Sequence, residues 1–143
     1  MEWITPKTDW YGARDSNGTY TGDRFNFGDY NRIKGNINYL HALAAQVYMP
    51  FGIEDMGDDK GVEDYPYADE INRLADNLET IRDWSYAIDI GVKTVYEDNG
   101  PFIGYADLNR IEKACLELYT NLNRIKAGKA RLSFRLGAKR EVF

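Results

Sequence analysis

Three stretches of this chain place apolar residues three and four positions apart, and no other feature constrains the fold as much. The first reads Tyr30, Ile33, Ile37, Leu40, Ala44, Val47. The second reads Ile71, Leu74, Leu78, Ile81, Ser85, Ile88, and the third Leu108, Ile111, Cys115, Leu118, Leu122, Ile125. Side chains at this spacing fall on one face of an α-helix. Ser85 alone among these positions is plainly polar, so chance is a poor explanation and three helices are predicted.

The expected helix starts carry Asp29, Asp69 and Asp107, each with an aromatic two residues earlier (Phe27, Tyr67, Tyr105). A carboxylate there can accept from free backbone N–H groups and oppose the helix dipole, and the aromatic can fold back on the first turn. Gly128, just after Lys126, is the predicted end of the third helix.

A short element recurs on the helices. Tyr30-Asn31-Arg32-Ile33, Ile71-Asn72-Arg73-Leu74 and Leu108-Asn109-Arg110-Ile111 share one form, and Leu122-Asn123-Arg124-Ile125 repeats it. Asn and Arg sit on the shoulder of the apolar stripe. One reading is a repeated contact, with Asn bonding a neighbouring backbone and Arg pairing with an acid on the next helix. The plainer reading, and the preferred one, is ordinary polar filler in a duplicated helix.

The connections differ in length. Residues 49–66 form a long acidic loop with Pro50, Gly52, Gly57, Gly61 and Pro66, longer than most helix connections and expected to be mobile or ordered by a partner. Residues 91–104 turn at Asn99-Gly100-Pro101. Ahead of the helices, Asn17-Gly18 marks a possible hairpin within residues 1–26, although an extended arm suits that segment equally well. Arg131-Leu132-Ser133-Phe134-Arg135-Leu136 alternates polar and apolar residues and predicts a half-buried strand. Such a strand needs a partner strand from the arm or from another subunit. The expectation is therefore a mainly α fold: an extended arm or hairpin over 1–26, a three-helix bundle over 27–128 and a C-terminal strand or tail over 129–143.

At 143 residues, 43% hydrophobic and 29% charged, the chain suits one globular domain. Eleven tyrosines and three tryptophans exceed the needs of one small core and suggest a partner surface. A net charge of −5 argues against nucleic acid as the main ligand. The charge is polarised: Glu54–Asp64 hold six acids against Lys60, and Arg124–Phe143 hold seven bases against Glu141. That asymmetry suggests docking onto charged surfaces or onto further copies, unless both segments are merely kept soluble by charge.

The chemistry is sparse. His41 is the sole histidine and Cys115 the sole cysteine, and both fit helix packing better than catalysis or metal binding. A lone cysteine implies no intramolecular disulfide and a reducing compartment. The N-terminus lacks the pattern of a signal peptide, and no run suits a membrane span, so a soluble protein made in the cytoplasm is expected. The acidic loop has oxygens for calcium but not the twelve-residue loop spacing, and Phe134 among arginines is a weak pointer to nucleic acid. No enzyme activity, cofactor, metal or small-molecule substrate is expected.

The runs Trp3-Ile4-Thr5-Pro6-Lys7-Thr8-Asp9-Trp10 and Phe25-Asn26-Phe27-Gly28-Asp29-Tyr30-Asn31-Arg32-Ile33-Lys34-Gly35-Asn36-Ile37 resemble small structural proteins. These are encoded in the tail and fibre gene clusters of phages and prophages of Gram-positive, clostridia-like bacteria. The likeness covers about the first 45 residues closely and the rest through the Asn-Arg helices. It implies a virion component of the tail, baseplate or fibre-attachment region, whose partners are other virion proteins and copies of itself. The expected interface residues are Trp3, Ile4 and Trp10 as anchors, Leu132, Phe134 and Leu136 as a strand face, and Arg131 and Arg135 for acidic partners. The alternative is a soluble helical module that binds a peptide or regulatory partner.

Overall fold

The protein is described by a computed structural model over residues 2–64, 66–86, 88–100 and 103–142, with only the backbone described for 133–142. It is mainly helical, with three helices and one small two-stranded sheet. Strands β1 (Gly12–Arg14) and β2 (Tyr20–Gly22) pair antiparallel, with Ala13 opposite Thr21. The Asp15 carboxylate accepts from the N–H groups of Asn17 and Thr19, and Gly18 takes φ +80°, so the turn forms where Asn17-Gly18 predicts it. A Cβ at Gly12 would lie 2.1 Å from the Tyr105 ring, so any larger residue here must displace that ring.

Helix α1 (Phe27–Val47) starts with a capping box: Asn26 accepts from Asp29 N–H, and Asp29 accepts from Asn26 N–H. Helix α2 (Ala68–Trp84) begins with Glu70 accepting from Tyr67 N–H. Helix α3 (Tyr105–Val142) runs 38 residues, against 21 and 17 for the other two. The first stripe is buried throughout, the second through Ile81, and the third through Leu122. Each helix packs on both others around this core.

All three helices point the same way. Arg32 near the start of α1 pairs with Glu112 near the start of α3, Tyr39 meets Tyr119 midway, and Lys129 donates to the Val47 carbonyl at the end. Lys60 likewise ties the starts of α1 and α2 together, held by Asn31 and paired with Glu70. Parallel helices oblige the chain to travel back after each one. At about 1.5 Å per residue α1 is about 30 Å long, a distance that needs about nine extended residues. The long connections are therefore return segments rather than mobile loops. Met56 is buried, and Phe51 and Ile53 pack on the core.

Several expectations are corrected. Arg131, Leu132, Phe134, Arg135 and Leu136 lie in α3, not in a strand, and Gly128 does not end the helix. A lone strand leaves its backbone unpaired, whereas a helix bonds internally, and Arg, Leu, Ala and Lys all favour it. The boundary placed at 128/129 thus falls inside a continuous helix. The N-terminal segment is no free arm, since Trp10 is buried and Trp3 packs on the core. Ser85 and Ile88 fall beyond α2, which ends at Trp84, and Tyr67 is exposed rather than stapled to its helix.

Candidate functional site

The repeated asparagines each hold a return segment. Asn31 accepts from Lys60 N–H (2.7 Å) and donates to Lys60 C=O (2.8 Å). Asn72 does the same to Tyr96 (2.8 and 2.7 Å), and Asn109 to Trp10 (2.7 and 3.0 Å). Two further asparagines join them: Asn36 clasps Ile4 (3.0 and 2.7 Å) and Asn77 clasps Glu54 (2.9 Å twice). The N–H and C=O of one residue point to the same side only in extended chain, so each amide imitates one rung of a β-ladder. Asn123, in the fourth copy, instead bonds Tyr119 C=O on its own helix.

These clasps follow a threefold order. Residues 4–10 run from Asn36 on α1 to Asn109 on α3, and residues 54–60 run from Asn77 on α2 to Asn31 on α1. Residues 90–96 run from α3, where Arg110 bonds the Ile90 carbonyl at 3.3 Å, to Asn72 on α2. The separation is the same in all three. So is the offset from Asn31 to Asn36 and from Asn72 to Asn77, but from Asn109 it falls on Ala114. Beside Ala114 a cleft of about 290 Å³ opens against Ile90, Gly91 and Arg110.

The arginines work nearer home than the asparagines. Arg32, Arg73 and Arg110 each pair with the first-turn acid of their own helix: Asp29 (2.8 Å), Asp69 (3.8 Å) and Asp107 (3.4 Å). Arg73 also pairs with Glu54 at 3.3 Å. Arg32 alone crosses to another helix's acid, meeting both oxygens of Glu112 at 3.0 Å. Glu112 is 1% exposed and also accepts from Lys7 N–H and the Trp10 indole. Burial pulls the Arg32 guanidinium down, but the hydrogen bond to Asp29 and the charge of Glu112 outweigh it and hold its pKa raised. Sequence reasoning missed Glu112, which sits on the helix shoulder among ordinary polar positions.

The expected anchors are spent inside the molecule. Trp10 is 4% exposed, and Trp3 stacks on Tyr119 with ring centroids 4.0 Å apart. Ile4 is exposed but its backbone is clasped. Arg131 and Leu132 are exposed on α3, and the side chains of Phe134, Arg135 and Leu136 lie outside the described residues.

Each end of the helices carries exposed apolar and charged groups. At the C-terminal end Tyr48, Met49 and Trp84 are exposed, and α3 runs on past them with Leu132 58% exposed. Lys129 stands over the Tyr48 ring at 4.9 Å. At the N-terminal end Val62 and Tyr67 are exposed among the exposed acids Asp58, Glu63, Asp64 and Asp69. Glu97 and Asp98 line a cleft with Tyr67 and Ala68, which brings the second connection to the same end.

Reactive chemistry is confined. Burial pushes the Cys115 thiol well up, and the ring nitrogen of His41 meets Phe51 C=O at 2.6 Å. Among the described residues no group of three or more His, Cys, Asp and Glu could hold a metal ion, and no helix is long and apolar enough to cross a membrane. No protein-family model, curated protein or solved structure matches this chain.

Proposed function

We propose that this chain is a structural assembly subunit, a component of a phage tail, baseplate or fibre-attachment region, whose helical bundle meets neighbouring subunits through its ends. The observation that carries this reading is the length of α3. It continues beyond Val47 and Trp84, where the other two helices stop, and leaves Leu132 exposed. A helix of about a dozen residues is marginal in water without a packing partner, so a neighbour is the natural support for this one. The likeness of the Thr-Pro-Lys-Thr-Asp-Trp and Asp-Tyr-Asn-Arg-Ile runs to phage tail-cluster proteins supports a place in a particle. The reading contains no catalytic step, cofactor or nucleic-acid contact.

A second reading, a soluble module that binds a peptide or regulatory partner, draws support from the packed N-terminal segment. Trp3 and Trp10 stabilise the chain's own helices and leave less to offer a neighbour. The two readings separate by experiment. Particles induced from a producing strain and purified on a density gradient should contain the chain at fixed stoichiometry by mass spectrometry. Its absence from particles, with recovery only in the soluble fraction, would sink the assembly reading.

A further inference from the structure

The two ends of the molecule carry opposite charge and each exposes apolar side chains, and we propose that they are the two halves of one contact. The C-terminal part of α3 of one copy docks on the helix-start end of a second copy. This rests on the assembly reading and names the partner within it.

The donor half is a basic amphipathic helix. Arg124, Lys126, Lys129 and Arg131 are exposed, and Arg135, Lys139 and Arg140 follow on the same helix, with Glu141 the one acid. Leu132 is exposed on it, next to the end bearing Tyr48, Met49 and Trp84. The acceptor half is built by the parallel arrangement. Three helix N-termini lie together, and acids gather there to oppose their summed dipoles. More acids are present than the dipoles and local cations use. Asp29, Glu70 and Asp107 are occupied by Arg32, Lys60 and Arg110, whereas Asp58 and Glu63 stand exposed beside Val62. Glu97 and Asp98 extend the negative surface across to the second connection.

Charge decides the geometry. Two basic α3 extensions side by side would repel, as would two acidic ends, so the contact joins unlike ends. Unlike ends can meet twice about a twofold axis in an antiparallel pair, or once per contact in a head-to-tail ring or stack. Salt should weaken it, because the pairing groups are exposed.

Sedimentation velocity on the full chain tests this. The wild type should rise above its 16.5 kDa monomer mass as concentration increases at about 20 mM salt and fall back at about 500 mM. The paired variants Arg131→Glu/Arg135→Glu and Asp58→Lys/Glu63→Lys should each weaken association by about tenfold or more. Mixed together they should associate again, because each supplies the end the other has inverted. Circular dichroism checks that both keep their helices, and the wild-type salt series stands without either variant. A wild type that stays monomeric, variants that associate as well as wild type, or a mixture that stays monomeric would overturn the proposal. Monomers in solution with the chain present in particles would remove this contact and leave the assembly reading. Self-association with absence from particles would do the reverse.

Discussion

The amide of Asn77 and the backbone of Glu54 exchange two hydrogen bonds of 2.9 Å, and this pair is the innermost clasp on the first return segment. Asn77 is 1% exposed, so no water stands ready to replace the lost partner. At about 1 kcal/mol net per bond, Asn77→Ala should cost about 2 kcal/mol, and the equally buried Asn36→Ala a similar amount. Asn123→Ala, which loses only a bond within its own helix, should stay within about 0.5 kcal/mol of wild type. Urea denaturation of the three variants checks the contrast.

Glu112 gathers Arg32, Lys7 N–H and the Trp10 indole in a site closed to water. Glu112→Gln leaves Arg32 with Asp29 as its remaining counter-ion and turns an amide N–H₂ toward donors. The expected loss is about 3 kcal/mol, with Trp10 emission shifted to the red as its surroundings loosen. Glu117→Gln, exposed one turn further on, should be silent in both measurements.

Ala114 occupies the one position where the clasp pattern lacks its asparagine, beside an open cleft. Ala114→Asn places an amide within reach of the Ile90 backbone and should raise stability by about 1 kcal/mol. The measurement is the denaturation midpoint, with slower amide exchange at Ile90 as the local sign.

Stability should fall off on both sides of neutral pH. Burial raises the Asp107 and Glu70 carboxyls, but hydrogen bonds from Tyr96 to Asp107 and from Lys60 to Glu70 outweigh it and hold both below their ordinary values. Their contribution is present above about pH 4 and is lost as pH falls through the lower folded values. Burial pushes Tyr30 and Tyr96 up to about 12. Their contribution is complete below about pH 10 and disappears between there and 12. Denaturation midpoints across pH check both limbs. Tyr96→Phe should move the acid limb to higher pH by releasing Asp107.

Much of the helical framework was legible because burial on one face writes itself into the sequence at helical spacing. Tyr30 to Val47 and Leu108 to Leu122 show this, and each residue so predicted is buried. The asparagines were legible as a repeat, and bonding to a neighbouring backbone was one of its two readings. The preferred reading as polar filler does not hold for Asn31, Asn72 and Asn109. Which segment each one clasps was not legible, since backbone partners have no side-chain signature. A signal did exist: Ile4-x-x-Lys7-Thr8-x-Trp10 and Ile90-x-x-Lys93-Thr94-x-Tyr96 are the same return segment written twice. The C-terminal segment misleads because Arg131 to Leu136 alternate like a strand, although the same residue types favour a helix and, among the described residues, no second strand meets them. Trp3 and Trp10 read as outward anchors because abundant aromatics suggest an interface. The parallel helices leave grooves that those rings fill instead.

The clasp of Asn109 on Trp10 joins residues 99 positions apart, and this sets an order of events during synthesis. Residues 3–10 leave the ribosome well before their seat is built, because Trp10 needs Asn109 and Glu112, and Trp3 needs Tyr119. At about 5–20 residues per second both tryptophans wait on the order of 5–20 seconds for α3 to emerge. Until then the groove between α1 and the missing helix has neither wall nor filling. Translation of α3 is thus the latch that lets Trp3 and Trp10 settle.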